Sequence, residues 1–411
     1  MTSDHSSTHR VVVIGAGHGG GNVVALLRQY GFGGPVTLIG DEPAAPYHRP
    51  PLSKAWLKGT ASAQSLALKP ADFYATQNIT LRLGHAAEAI DRDTRRVALA
   101  DGSSIDYDTL ILATGAHARP LPLANTARPN VLTLRNMADA DRLKHALGAG
   151  KRLLIVGGGY IGLECAASAR ALGADVVVVE RAARLLERVA SEPIAGFLRR
   201  HHERNGVRFA LGAQIETIEG EEAASAVTLV DGRRFDCDAI LVGIGAAPNT
   251  TLAEGAGLAC DDGITVDADC RSSDPRIFAI GDVVRRPHPL YGRSLRLESV
   301  PSAMEQAKHA AAAIAGREPP HPEVPWFWSD QYDLKLQIAG LPFDADTVVV
   351  RGDPETGSFG VYHLRGGSVV TVEAINSPPD FFAGKKLIAS GKTVAPVELA
   401  DPAVPLNGIV A

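Results

Sequence analysis

The chain has 411 residues, long enough for two or three domains with sizeable cores. With 45% hydrophobic and 21% charged residues and a formal net charge of −5, it is composed like a globular protein and lacks the basic excess of a general nucleic-acid binder. No uninterrupted apolar run reaches the ~18 residues of a membrane span, so the sequence reads as that of a cytoplasmic protein.

The first ten residues, MTSDHSSTHR, are polar and read as disordered. Residues 11–14, VVVI, form a buried strand running into the turn Gly15-Ala16-Gly17-His18-Gly19-Gly20. A helix carrying Val23, Val24, Leu26 and Leu27 follows and stops at Gly31. A second strand, 36–39, leads to Asp41. This is a βαβ unit of about 30 residues with an acid after its second strand, the arrangement that cradles a dinucleotide. Residues 107–115, YDTLILATG, read as an apolar strand ending in Ala113, Thr114 and Gly115.

The layout then repeats. Residues 152–156 are a strand, and Gly157-Gly158-Gly159-Tyr160-Ile161-Gly162 is its turn. The next helix stops near Gly173, and strand 175–179 ends in Glu180. A lone glycine-rich turn is a weak signal; two complete units at matching stages of one chain are a strong one. In each, the first glycine makes the turn, the second lets backbone approach a pyrophosphate, and the third lets helix pack on strand. The helix N-terminus offers free N–H groups to the phosphates. Asp41 and Glu180 can each accept hydrogen bonds from a ribose diol. Glu180 would also repel a ribose 2′-phosphate and favour NADH over NADPH, although Arg181 and Arg184 lie close by. Residues 277–282, IFAIGD, are a further short strand ending in Gly281-Asp282.

The four cysteines are Cys165, Cys237, Cys260 and Cys270. None forms a C-x-x-C pair, and their spacing suits neither a structural zinc site nor an iron–sulfur cluster. They read as small buried hydrophobes. His201-His202, beside Arg199 and Arg200, reads as a solvated helix face rather than a metal site.

The ordered set GAGHGG, ATG, GGGYIG, GIGAAPN (243–249) and IFAIGD resembles the two-dinucleotide-binding-domain flavoproteins of glutathione-reductase-like fold. RPPLSK (49–54), ESVPSAMEQA (298–307) and PWFWSDQY (325–332) narrow the likeness. Over essentially its whole length the chain is similar to the NADH-dependent ferredoxin reductases of bacterial oxygenase systems. The resemblance implies an α/β fold: two Rossmann-like domains, for FAD and for NAD, with a C-terminal α+β domain. Residues 1–115 and 250–324 would form the FAD domain, 116–249 the NADH domain and 325–411 the third. Two cradles then hold two cofactors, FAD and NADH.

Further site residues follow from the same likeness. Toward FAD it implies Gly15, Gly17, Gly19, Gly20, Asp41, Arg49, Lys54, Ala87, Ala113, Thr114, Gly115, Arg135, Gly281, Asp282, Val300 and Trp328. Toward NADH it implies Gly157, Gly159, Tyr160, Ile161, Gly162, Glu164, Glu180 and Gly245. Lys54 and Glu164 would pair beside the flavin as the catalytic residues. Tyr160 would cover the flavin until nicotinamide displaces it. A helix over 302–315, starting just after Val300-Pro301, would aim its positive end at the flavin and stabilise charge that builds on reduction.

A flavin can take a hydride and release electrons singly, so it can link NADH to a one-electron acceptor. Disulfide reductases and flavin peroxidases of this fold carry cysteine where this chain has YHRPPLSKAWLKG (47–59). Electrons must therefore leave the flavin directly, toward a cluster held by a partner. The implied partner is a two-iron (2Fe-2S) ferredoxin that feeds a P450-type monooxygenase or a Rieske dioxygenase. Lys69 and Lys308 match basic positions that relatives use toward it; Gln337 stands where the family pattern has a lysine, with Lys335 two residues away. The rival enzyme reading is a flavin reductase acting on rubredoxin or on a small acceptor such as a quinone, oxygen or ascorbate radical. A signalling flavoprotein of the apoptosis-inducing type would need a strong basic surface or a long targeting segment, and the sequence shows neither.

Overall fold

The computed structural model describes residues 8–124 and 126–410. The disorder expected at the N-terminus thus falls mostly on residues 1–7, outside the described residues. Arg10 departs from that expectation. Its backbone and guanidinium donate to Asp108 at 2.9 and 3.0 Å, and these bonds hold the Asp108 carboxyl at about 2.

The chain divides into two compact units. The first is built from the chain up to Arg49, from Ala63–His117 and from Ala247–Glu323. The second is built from Pro50–Ser62, Ala118–Ala246 and Val324 onward.

The first unit centres on a parallel sheet in the order Ile277–Ala279, Thr109–Leu112, Val11–Ile14, Val36–Gly40, Ile79–Leu83. Val11–Ile14 lies at its middle and is covered on both faces, which is why it reads as an unbroken apolar run. Helix His18–Gln29 follows the first glycine turn and packs against helix Val300–Ile314. The latter starts two residues earlier than 302. Pro301 occupies its first turn, and the Ser299 hydroxyl caps it by accepting the Ser302 N–H at 3.2 Å. The strands expected over 107–115 and 277–282 are shorter, Thr109–Leu112 and Ile277–Ala279; Tyr107 and Asp108 precede the first, and the last residues of both stretches leave the ladder.

The second unit repeats the plan. Its parallel sheet runs Val207–Leu211, Asp175–Glu180, Arg152–Val156, Ala239–Val242, Val131–Leu132, with helix Tyr160–Ala171 after the second glycine turn. It also holds a five-stranded antiparallel sheet, in the order Trp326–Gln331, Leu334–Gly340, Ser368–Ile375, Phe359–Arg365, Thr347–Arg351. Helix Pro378–Ser390 packs on it so closely that a Cβ at Gly384 would lie 2.3 Å from Val372 Cγ1. The architecture is the expected α/β fold with two Rossmann-like sheets and a C-terminal α+β part.

One expectation is overturned. His202 is not on a solvated face: it is 0% exposed, and its Nε2 lies 2.8 Å from Gln331 Oε1. It stands four residues after Leu198 and eight after Ile194, on the apolar stripe of helix Glu192–Arg204.

Candidate functional site

In the first unit the glycines of the turn differ in the space around them. Gly15 sits at φ +113°, and a Cβ there would lie 2.1 Å from Ala113 O. A Cβ on Gly20 would lie 1.9 Å from Gly15 O, so this glycine lets the helix close on the turn. Gly17 differs: its nearest outside atom is Arg49 Nε at 3.9 Å, which leaves room on the side a pyrophosphate would approach. Gly19 lies against Ile280 and Ala113, and so joins three motifs at one end of the sheet. Thr114 and Asn249 exchange two hydrogen bonds, at 2.9 and 2.8 Å, and Gly115 O accepts the Asn249 N–H at 2.9 Å. Asp41 is exposed just past Val36–Gly40, Ala87 begins a small antiparallel strand, and Val300 begins its helix.

Two supporting residues escape sequence reading. Glu42 accepts from Arg49 and from the Tyr47 hydroxyl, each at 2.6 Å, and so fixes the Arg49 guanidinium. Gln306 Oε1 accepts the Gly281 N–H at 2.6 Å while its Nε2 donates to Ser302 Oγ at 3.0 Å, which ties the Gly281-Asp282 turn to the helix start. Glu42 adjoins Asp41 and Gln306 lies inside ESVPSAMEQA, but nothing in their residue type marks either as a support.

The second unit holds the other cradle. A Cβ on Gly157 would lie 2.4 Å from Gly243 O, and one on Gly162 2.4 Å from Gly157 O. At Gly159 it would meet nothing within 4 Å. Glu180 Oε2 accepts the Gly158 N–H at 2.6 Å, and its Oε1 accepts the Ala182 N–H at 2.7 Å. Gly245 O accepts the Arg119 N–H, and Ile161 is 48% exposed on the first turn of the helix. The Tyr160 ring lies 4.5 Å from Phe327, and its hydroxyl donates to Val189 O at 3.0 Å. Burial raises the Tyr160 pKa, with the Glu373 charge adding to it.

Lys54 and Glu164 meet within this unit. Lys54 Nζ donates to Glu164 Oε2 at 2.6 Å and to Pro50 O at 3.1 Å. Glu164 is 3% exposed and takes two more donors, Ser53 Oγ at 2.5 Å and Ser329 Oγ at 2.7 Å. Three donors compensate a buried carboxylate that would otherwise be costly. Arg135 and Trp328 hold other partners: the Arg135 backbone donates to Asp139 Oδ2, and the Trp328 ring lies 5.6 Å from that of Trp326.

All four cysteines are free; Cys165, Cys237 and Cys270 are buried and Cys260 is partly exposed. Burial pushes the Cys237 thiol up to about 11 and that of Cys270 to about 12, and raises Cys165 and Cys260 as well. None is a thiolate near neutral pH. Of the basic candidates, Lys308 Nζ pairs with Glu323 at 2.7 Å, and Lys69 Nζ sits 5.4 Å above the Phe73 ring. Lys335 is exposed; Gln337 is its half-buried neighbour on the same strand, opposite Trp328. Among the described residues no group of three or more histidines, cysteines and acids could hold a metal ion, and no helix is long and apolar enough to cross a membrane.

Comparison with known proteins agrees with this geometry. Residues 9–307 match the family described as pyridine nucleotide-disulphide oxidoreductase, and residues 326–410 match the reductase C-terminal family. The chain is 48% identical to the probable ferredoxin reductase CtmF of Castellaniella defragrans, over 98% of this chain and 99% of that one. It is 42% identical to the putidaredoxin reductase CamA of Pseudomonas putida, over 99% and 98% respectively. It superposes on the reductase in the crystal structure of a covalent putidaredoxin reductase–putidaredoxin complex with a TM-score of 0.96, at 41% identity, covering 98% of this chain and 99% of that one. The chain belongs to the pyridine nucleotide-disulphide oxidoreductase family, and within it to the ferredoxin reductases. It is an oxidoreductase that uses FAD and NAD(H), and the two glycine cradles, with room beside Gly17 and Gly159, fit two dinucleotides.

Proposed function

We propose that this protein passes electrons from NADH through FAD to a two-iron ferredoxin, which feeds a P450-type monooxygenase or a Rieske dioxygenase in the cytoplasm. The observation that carries this reading is the combination of two open cradles with thiols that are buried or protonated: the chain can hold both nucleotides and offers no cysteine relay.

In this reading the first cradle, with Asp41, Arg49, Ala87, Ala113, Thr114, Gly115, Gly281, Asp282 and Val300, holds FAD. Residues 1–115 and 250–324 make the FAD domain, 116–249 the NADH domain and 325–411 the third. Lys54, Arg135 and Trp328 serve the flavin from their own segments, and Gly157, Gly159, Tyr160, Ile161, Gly162, Glu164, Glu180 and Gly245 take NADH. FAD, when bound, supplies the conversion from hydride to single electrons. The chain supplies position and charge. Glu164 fixes the Lys54 ammonium, and the N-terminus of helix Val300–Ile314 presents its positive end. Tyr160 shields the site until the nicotinamide takes its place.

Steady-state NADH oxidation with a 2Fe-2S ferredoxin, a rubredoxin and a quinone in parallel tests the acceptor. The ferredoxin should give the highest kcat/KM, and its rate should fall steeply with salt, because exposed charges are screened over ~8–10 Å at physiological ionic strength. Reversing Lys69 or Lys308 to glutamate should slow ferredoxin reduction and leave quinone reduction unchanged. A higher kcat/KM with rubredoxin or quinone would replace the ferredoxin reading.

A further inference from the structure

The segment PWFWSDQY supplies more than an aromatic cluster. Ser329, 1% exposed, donates to Glu164 Oε1 at 2.7 Å. Gln331, 2% exposed, lies 3.1 Å from Ser329 Oγ through its Nε2 and 2.8 Å from His202 Nε2 through its Oε1. His202 is fully buried on helix Glu192–Arg204, on the face of the second unit's parallel sheet that meets the antiparallel one. The Tyr332 ring packs edge-on against it at 5.0 Å; its hydroxyl, 3.5 Å from Nδ1, is at the limit of hydrogen bonding, so the chain begins at His202.

The direction of every bond follows from one fact: an ionised carboxylate carries no hydrogen. Ser329 must donate to Glu164, so its oxygen is free to accept. Gln331 must then present its amide N–H to Ser329 and its carbonyl to His202. His202 must in turn carry its proton on Nε2. Its surroundings hold it neutral: burial lowers its pKa to about 4, partly offset by the Gln331 bond and reinforced by His201. The result is a one-way series of donors, His202 to Gln331 to Ser329, ending on the carboxylate that Lys54 grips from the other oxygen.

We propose that Ser329, Gln331 and His202 are positioning residues for the Lys54–Glu164 pair. They hold Glu164 in a single rotamer, and through it they aim the Lys54 ammonium. The alternating Ser and Gln of WSDQY project to the same face of the strand, as residues two apart must, so the motif's spacing is set by this task. The functional consequence rests on the NADH-to-FAD reading above.

The test is anaerobic stopped-flow reduction of the bound flavin by NADH in the holoenzyme, titrated to give a limiting rate and an apparent Kd. Ser329→Ala should lower the limiting rate roughly tenfold, the loss expected of one hydrogen bond to an ionised group, and His202→Leu, which removes a bond between neutral groups, roughly threefold, with the apparent Kd changing less than about twofold in both. His202→Gln, which keeps a donor near Nε2, should restore most of the rate. In a Glu164→Gln background the same changes should have no further effect, since they act only through that carboxylate. If His202→Leu yields no folded holoenzyme, Ser329→Ala, which deletes one oxygen, carries the same comparison. Unchanged limiting rates, or losses that persist in the Glu164→Gln background, overturn the proposal. A parent enzyme that NADH does not reduce at all would instead overturn the functional reading.

Discussion

Glu180 Oε2 accepts the Gly158 backbone N–H at 2.6 Å, so the acid that ends the second strand is tied directly to the glycine turn it faces. In the functional reading proposed above, this carboxylate would face a ribose 2′-phosphate, and repulsion between them would favour NADH. Of the nearby cations, Arg184 is occupied with the carbonyls of Ala190 and Glu187, both at 2.9 Å, which leaves Arg181 as the exposed one. Glu180→Ala should cut the NADH/NADPH preference in flavin reduction by roughly tenfold or more, and should also slow NADH, because two backbone bonds are lost with the charge. Equal rates with the two nucleotides in the parent enzyme would mean that Arg181 sets the selectivity.

The glycines of the second cradle should separate stability from binding. Gly162→Ala forces a Cβ to within 2.4 Å of Gly157 O, an overpacking that should cost about 1–3 kcal/mol and lower Tm. Gly159→Ala has an ordinary φ of −82° and nothing within 4 Å, so Tm should hold while KM for NADH rises at least about fivefold as the methyl meets the pyrophosphate. Calorimetry and steady-state kinetics on the two variants check this. An unchanged KM in Gly159→Ala would mean that the nucleotide lies elsewhere.

The parallel sheets were legible because strands buried on both faces, such as VVVI and RLLIV, are continuous apolar runs followed by glycine. The cradles were legible because Gly15, Gly20, Gly157 and Gly162 stand where a Cβ would collide with backbone, which fixes the spacing of the glycine pattern. The supports were not. His202 lies in the polar string RRHHER, and only its place eight residues beyond Ile194 on the buried stripe marks it as interior. Ser53, Ser329 and Gln331 carry no charge and no metal-binding signature; a carboxylate approaches the two serines from more than a hundred residues away, and Gln331 reaches it only through Ser329. The Lys54–Glu164 pair itself spans 110 residues, a separation that no local pattern encodes and that only resemblance supplied.

Replacing Cys165, Cys237, Cys260 and Cys270 together by alanine should leave turnover from NADH to acceptor within about twofold at equal FAD content, since raised thiol pKa values keep them protonated. The three buried sites should cost some stability through lost contacts, readable as a lower Tm. Loss of turnover with FAD retained would bring a thiol into the electron path.

His202 should make the protein acid-sensitive. Its pKa is lowered from the usual 6.5 to about 4 in the fold, so the unfolded chain binds the proton first. The contribution is fully present above pH 6.5 and is lost as pH falls through about 4, on the order of 3 kcal/mol in all. His288 and His309, also lowered to about 4 by burial, act in the same direction, while Glu305, raised by burial, acts against them. Thermal melts of the parent and of His202→Gln between pH 7 and pH 4 should therefore converge on acidification, the parent losing more. Parallel curves would mean that His202 does not titrate in this window.

Electron counting under anaerobic conditions bears on the whole route at once. One equivalent of NADH, added to holoenzyme with excess oxidised 2Fe-2S ferredoxin, should leave two equivalents of reduced ferredoxin and return the flavin to its oxidised spectrum, with the four-cysteine variant behaving as the parent does. If NADH bleaches the flavin and the ferredoxin spectrum does not change while the flavin stays reduced, the protein does not deliver its electrons to an iron–sulfur partner, and the route from NADH through FAD to ferredoxin is wrong.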